Sequence, residues 1–249
     1  RPHRAIYDVT LGSAEPSASV ITASGRLVFE VTGASCEGYV VNSRFVTRVT
    51  DREGNGRTTD LRSSTFEALE PATFSFLNQT YVDGTLQSET KGSAEALADG
   101  THLTLTAPKE SEATLGRAVF PTAHTLLILQ AALAGDRVLE APVFDGGDSA
   151  DTVYDTTTVI GGAKTGLPGA KDGEKTALNA LEGAAEEDVW RLVISYFAAN
   201  DEPGERTPDY EIAFSMLKSG ISYGVVFNYG AFSLSGTLAE LTVFDVPEC

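Results

Sequence analysis

The side chains with the most chemistry to offer are two cysteines, Cys36 and Cys249, three histidines, His3, His102 and His124, and one serine in a nucleophile-like frame, Ser222. "GISYG", Gly220–Gly224, matches G-x-S-x-G, the frame that lifts a serine onto a sharp turn between a strand and a helix. The residues that follow, "VVFNYG", alternate as a strand, and all three histidines precede the serine, against the chain order of the hydrolases. A hairpin turn entering a strand fits better. "DREGNG", Asp51–Gly56, sets Asp51, Glu53, Asn55 and Gly56 as a calcium loop would, but the bidentate glutamate that should close the loop is Arg62, a cation. A hairpin turn on Asn55-Gly56 explains the same residues. "DGGDSAD", Asp145–Asp151, concentrates carboxylates as solvated loops commonly do. "GGAKTG" lacks the lysine-hydroxyl ending of a phosphate loop. "NQT", Asn78–Thr80, is a glycosylation acceptor only in a eukaryotic secretory setting. Scattered histidines and distant cysteines have no zinc spacing. No catalytic residue, cofactor or metal ligand is therefore expected.

The two cysteines read differently in different compartments. In the cytosol they would be reduced and unrelated; in an oxidising compartment they could form one disulfide. A bridge closing nearly the whole chain would stabilise it by about 5 kcal/mol in the chain-entropy model. Two buried free thiols remain the alternative at this level.

Charge narrows the class of partner. The 35 acidic and 18 basic residues leave a net charge of −17, which repels nucleic-acid phosphates and anionic membranes. The longest apolar run, "TLLILQAALAG" from Thr125 to Gly135, is too short to span a bilayer as a helix. The chain opens on "RPHRAIYD", with no signal peptide in view; one is absent or has been removed.

The dominant hydrophobic period is two. Tyr39, Val41, Phe45 and Val49 share one face, with Asn42, Arg44 and Arg48 on the other. Trp190, Leu192, Ile194 and Tyr196 alternate likewise, as do Ile212, Phe214 and Met216, and then Tyr223, Val225, Phe227 and Tyr229. Turn signals at Arg52–Arg57, Asp83-Gly84, Asp99-Gly100, Asp201–Glu205 and Ser219-Gly220 separate the runs. The pattern predicts a mainly β protein, an antiparallel barrel or sandwich of many short strands. One segment departs from it. Pro121 opens and Gly135 closes a helix that is apolar on nearly every side, and such a helix is expected to be buried. Gly161–Asp188 reads as a long irregular connection with a short helix near its end. No repeat, tail or linker divides the chain, so residues 1–249 read as a single domain.

Several phrases in order are similar to one family. They are "HRAIYD" (His3–Asp8), "CEGYVVNSRFVTR" (Cys36–Arg48), "STFE" (Ser64–Glu67), "FPTAH" (Phe120–His124), "APVFDG" (Ala141–Gly146), "TTTVIG" (Thr156–Gly161), "PDYEIAF" (Pro208–Phe214) and "FNYGAFSLSGTLAEL" (Phe227–Leu241). Together they resemble the EipB family of cell-envelope integrity proteins of alphaproteobacteria. The resemblance implies export to the periplasm, a spiral β-barrel plugged by a helix, and a disulfide between Cys36 and Cys249. It implies no catalytic activity. It implies a role in envelope integrity under stress, through binding of envelope or periplasmic proteins. The likeness of such barrels to periplasmic lipoprotein carriers raises a second role, holding a lipid or acyl ligand. The aromatic strand faces with Phe74, Phe76, Tyr223, Phe227 and Tyr229 are then the expected cavity lining. A hydrolase using Ser222 ranks last.

Overall fold

A computed structural model describes residues 1–147, 151–198 and 206–249. Asp201–Glu205 and Asp148–Ala150 of the carboxylate-rich run lie outside the described residues. The first eight strands follow one another as a meander: β1 (His3–Ala14), β2 (Val20–Ala34), β3 (Gly38–Asp51), β4 (Gly56–Leu69), β5 (Ala72–Val82), β6 (Thr85–Leu97), β7 (Gly100–Ala107) and β8 (Ser111–Leu115). Helix α1 (Pro121–Ala134) comes next, then β9 (Val138–Val143) and β10 (Tyr154–Ile160). Helix α2 (Asp172–Leu178) precedes β11 (Val189–Ala198), β12 (Tyr210–Leu217), β13 (Ser222–Asn228) and β14 (Phe232–Val243).

All the strands belong to one sheet of 14, in the order β8 to β1, then β14 back to β9. Every ladder pair is antiparallel, and β1–β14 joins the two meanders. The strands are longer than the turn spacing predicts: β2 runs for 15 residues and β3 and β4 for 14 each. Ser24 and Gly25 lie within β2, in register against Arg48 and Thr47. At Gly25 the neighbouring backbone leaves no room for a side chain: a Cβ would stand 2.2 Å from the Val46 carbonyl oxygen. The hairpin at Asp83-Gly84 forms as its residues demand, with φ of 49° and 81°, the two left-handed positions of a type I′ turn. The Asp51–Gly56 turn instead places its left-handed residue at Gly54 (φ 85°), and the Asp51 carboxylate accepts the backbone N–H groups of Glu53 and Asn55.

Among the described residues no ladder joins β8 to β9, so the sheet stays open between its two edge strands. A strut from the 118–120 segment spans the gap. Val119 forms a parallel bridge with Val143. Its N–H donates to the Pro142 carbonyl at 2.9 Å, and its own carbonyl accepts the Phe144 N–H at 3.0 Å. On the other side, the Ala118 N–H donates to Oγ1 of Thr101 in β7. Four phenylalanines seal the seam: Phe74 and Phe76 from β5, Phe120 and Phe144, with ring centroids 5.2–6.4 Å apart. Phe74, Phe120 and Phe144 are almost completely buried.

Helix α1 is only partly enclosed. Ile128, Ala131 and Ala132 pack on Trp190, Leu192, Ile194 and Met216 of β11 and β12, whereas Leu133 is 51% exposed. The expected all-round burial fails because the curled sheet covers one side and leaves another at the rim. The 161–188 connection packs on the opposite face of the same strands. Val189, Leu217 and Tyr223 alternate with the residues facing α1, and they meet Leu167, Leu178, Leu181 and Ala184. Its helix lies mid-segment, not near the end, and 179–188 forms turns. The fixing point is Glu174, 1% exposed, whose carboxylate accepts the N–H groups of Lys171, Gly224 and Leu238.

Candidate functional site

Between α1 and strands β2–β5 lies a cavity of about 450 Å³. Phe29 and Val31 of β2 and Tyr39 and Val41 of β3 form its apolar floor, and Leu126 and Leu129 of α1 cover it. These α1 positions sit beside Thr122 and Thr125, three to four residues apart along one helix stripe. Arg1, His3, Met216 and Gly220 line one end; Asn78, Asp145 and Gly147 line the other. Depressions over β5–β8 (about 590 Å³) and beneath the 161–188 connection (about 520 Å³) are larger, with Glu95 and Glu112 in the first and Lys164, Lys171 and Arg191 in the second; the α1 cavity has the more apolar lining, its charges confined to Arg1 and Asp145 at its ends.

The covering helix is held from below by a buried carboxylate. Pro121 takes the first helical position, and neither a capping side chain nor an acidic residue in the first turn serves the free N–H groups. Glu67 of β4 does so from across the barrel: its two oxygens accept the N–H groups of Thr122 and Ala123, each at 2.7 Å. Only 2% of Glu67 is exposed. Burial raises its pKa, and the two backbone N–H bonds oppose that rise. The next residue, His124, is buried, and burial lowers its pKa to about 4, leaving it neutral. Thr156 donates its hydroxyl to the Ala141 carbonyl at 2.7 Å, so the His124 Nε2 that meets Thr156 Oγ1 at 3.2 Å carries the proton. "STFE" and "FPTAH", far apart in the chain, thus form one joint.

The disulfide implied by the resemblance is present, with Cys36 and Cys249 at a Cα–Cα distance of 5.9 Å. Cys36 lies in the turn between β2 and β3, the two strands of the apolar floor. The tail after β14 reaches it over the start of β1, where the Phe244 N–H donates to the Pro2 carbonyl. The staple therefore ties the rim beside His3 and Tyr39.

The other candidates fare unevenly. Ser222 opens strand β13, with no helix behind it, so no nucleophile elbow forms. Asn78 faces inward and donates to the Gly146 carbonyl at 2.7 Å, unlike a surface glycosylation acceptor. The aromatic residues expected to line a cavity do not line this one. Phe74 and Phe76 fill the seam, Tyr223 packs under the 161–188 connection, Phe227 meets Phe45, and Tyr229 is 41% exposed beside Phe232. Close packing consumes them. Among the described residues, no three His, Cys, Asp or Glu side chains converge as metal ligands, and no helix is long and apolar enough to cross a membrane.

The architecture is that of an antiparallel, barrel-like β protein with a helix laid over a largely apolar cavity. The crystal structure of a beta-barrel-like protein of domain of unknown function DUF1849 from Brucella abortus matches it with a TM-score of 0.90 and 36% identity, covering 98% of each chain. The EipB-like family model matches residues 1–245. The cell envelope integrity protein EipB of Brucella abortus (strain 2308) is 37% identical over 245 residues, 98% of this chain and 84% of that protein. This chain belongs to the EipB-like family.

Proposed function

We propose that this protein works in the periplasm as a non-enzymatic binding protein that supports the integrity of the cell envelope. The observation that carries the reading is full-length similarity to a protein named for that role, at 37% identity. The disulfide agrees with an oxidising compartment, and the strand geometry at Ser222 speaks against a serine hydrolase. The role is exercised through contacts with envelope or periplasmic components. A deletion strain is expected to lose resistance to detergent and to regain it with the Ser222→Ala protein as fully as with the unaltered one. Unchanged resistance on deletion would overturn the envelope role, and rescue that needs Ser222 would overturn the binding reading.

The cavity favours a second, compatible reading: the bound component includes a small apolar ligand. Its floor and cover are largely hydrocarbon, its volume falls in the range of ligand sites, and a helix capped by Glu67 lies over it. A rise in melting temperature with apolar ligands tests this directly.

A further inference from the structure

The capacity and polarity of the cavity say more about such a ligand. An engineered apolar cavity of about 150 Å³ takes up one benzene, six carbons. On that scale about 450 Å³ holds roughly eighteen non-hydrogen atoms. This is one medium-length acyl chain with a small head. The two chains of a phospholipid, or the several chains of a lipoprotein anchor, exceed that volume and would have to project through its open side.

The lining also has a direction, written in the strand register. One row across the sheet runs Val31, Val41, Thr65 and ends on Phe76 of the seam; the next runs Phe29, Ser43, Ser63, Asn78. The second row passes from hydrocarbon on β2 to hydroxyl on β3 and β4 and amide on β5, and the first offers a hydroxyl at Thr65 before Phe76 closes it. Beyond the polar end lie the Asp145 carboxylate and Gly147. Neutral donors and acceptors beside a carboxylate suit a head that makes hydrogen bonds without negative charge. A phosphate or free carboxylate there would meet a like charge. The net charge of −17 acts in the same sense on any approaching anion, while Arg1 stands at the far end beside His3 and leaves the Asp145 end without a facing cation in the lining.

We propose that the cavity between α1 and β2–β5 binds a single-chain amphiphile with an uncharged, hydroxyl- or amide-bearing head, of which a medium-chain monoacylglycerol is the simplest example. The chain lies on Val31 and Val41 beneath Leu126 and Leu129, and the head reaches Ser63, Thr65 and Asn78. This inference rests on the apolar-ligand reading above and narrows it.

Native mass spectrometry and thermal shift of the purified, oxidised chain test it with three probes: monolauroylglycerol, laurate and dilauroyl phosphatidylcholine. Monolauroylglycerol is expected to bind one per chain and raise the melting temperature, with at least tenfold weaker occupancy by the other two. Val41→Trp, which fills the floor, is expected to lower monolauroylglycerol occupancy at least tenfold while still melting cooperatively; Leu126→Trp serves the same purpose from the helix side if Val41→Trp does not fold. Equal or tighter binding of laurate or of the two-chain lipid would overturn the inference while leaving the apolar-ligand reading standing. Binding that survives the tryptophan in a folded variant would overturn this location. Binding of none of the three would overturn both readings of the cavity and leave the envelope role to its own genetic test.

Discussion

Glu67 is a carboxylate held in a nearly solvent-free position because two helix N–H groups need it. Glu67→Gln keeps the shape but offers one acceptor oxygen where two N–H groups point, so one donor is left unmet. Such a buried loss costs about 1–3 kcal/mol, and denaturant unfolding should report it. His124 makes the corresponding prediction for pH. Its folded pKa lies near 4, against about 6.5 in an unfolded chain. Below pH 6.5 the unfolded state takes up a proton that the folded state refuses. Stability is therefore complete above about pH 6.5 and falls as the pH drops toward 4, by at most about 3 kcal/mol from this group. His3 is lowered in the same direction, mainly by burial, and adds to the slope. Glu67, raised by burial, acts in the opposite sense; replacing His124 by Asn should lessen the loss of stability between pH 6.5 and 4, and an unchanged slope would assign it to other groups. On the outer face, Asp60 lies between Arg44 and Arg62, whose hydrogen bonds and charges hold its pKa down to about 2.

At the scale of elements, α1 has two neighbours and one open side. Ile128 is 1% exposed and faces Trp190 and Leu192, so Ile128→Ala should cost about 2–5 kcal/mol through the cavity it leaves. Leu133 looks equally apolar in the sequence but stands 51% exposed, and Leu133→Gln should change stability by no more than about 0.5 kcal/mol. Paired melting curves of these two variants would show which side of the helix the barrel holds. The 161–188 connection is as firmly packed as a strand, because Glu174 satisfies three backbone N–H groups that would otherwise be buried without partners.

At the scale of the molecule, the sheet and the staple divide the task of closure. The strut at Val119 and the phenylalanine seam span the gap between β8 and β9, and the disulfide ties the last residue to the β2–β3 turn across a separation of 213 residues. Freeing so long a loop should lower the unfolding free energy by about 2–5 kcal/mol. Cys249→Ser, measured in denaturant, should match the unaltered protein under strong reductant; coincidence of all three curves would mean the staple contributes nothing to stability.

The alternation of Trp190, Leu192 and Ile194, the Asp83-Gly84 turn and the Pro121–Gly135 brackets were all legible in the sequence, because hydrophobic period, left-handed turns and helix ends are set by residues a few positions apart. The family was legible too, in ordered phrases whose individual meaning was not. The Glu67 contact with Thr122 and Ala123 left only a faint trace, a helix start with no cap of its own. The cavity left none: Val31, Val41, Leu126 and Leu129 read as ordinary core residues, and the aromatics that looked more suited to a ligand fill gaps elsewhere. Which apolar side chains meet one another and which face a space between them depends on how far the sheet curls and where its two edges lie. That is a sum over the whole set of strand registers, and no local stretch of sequence contains it.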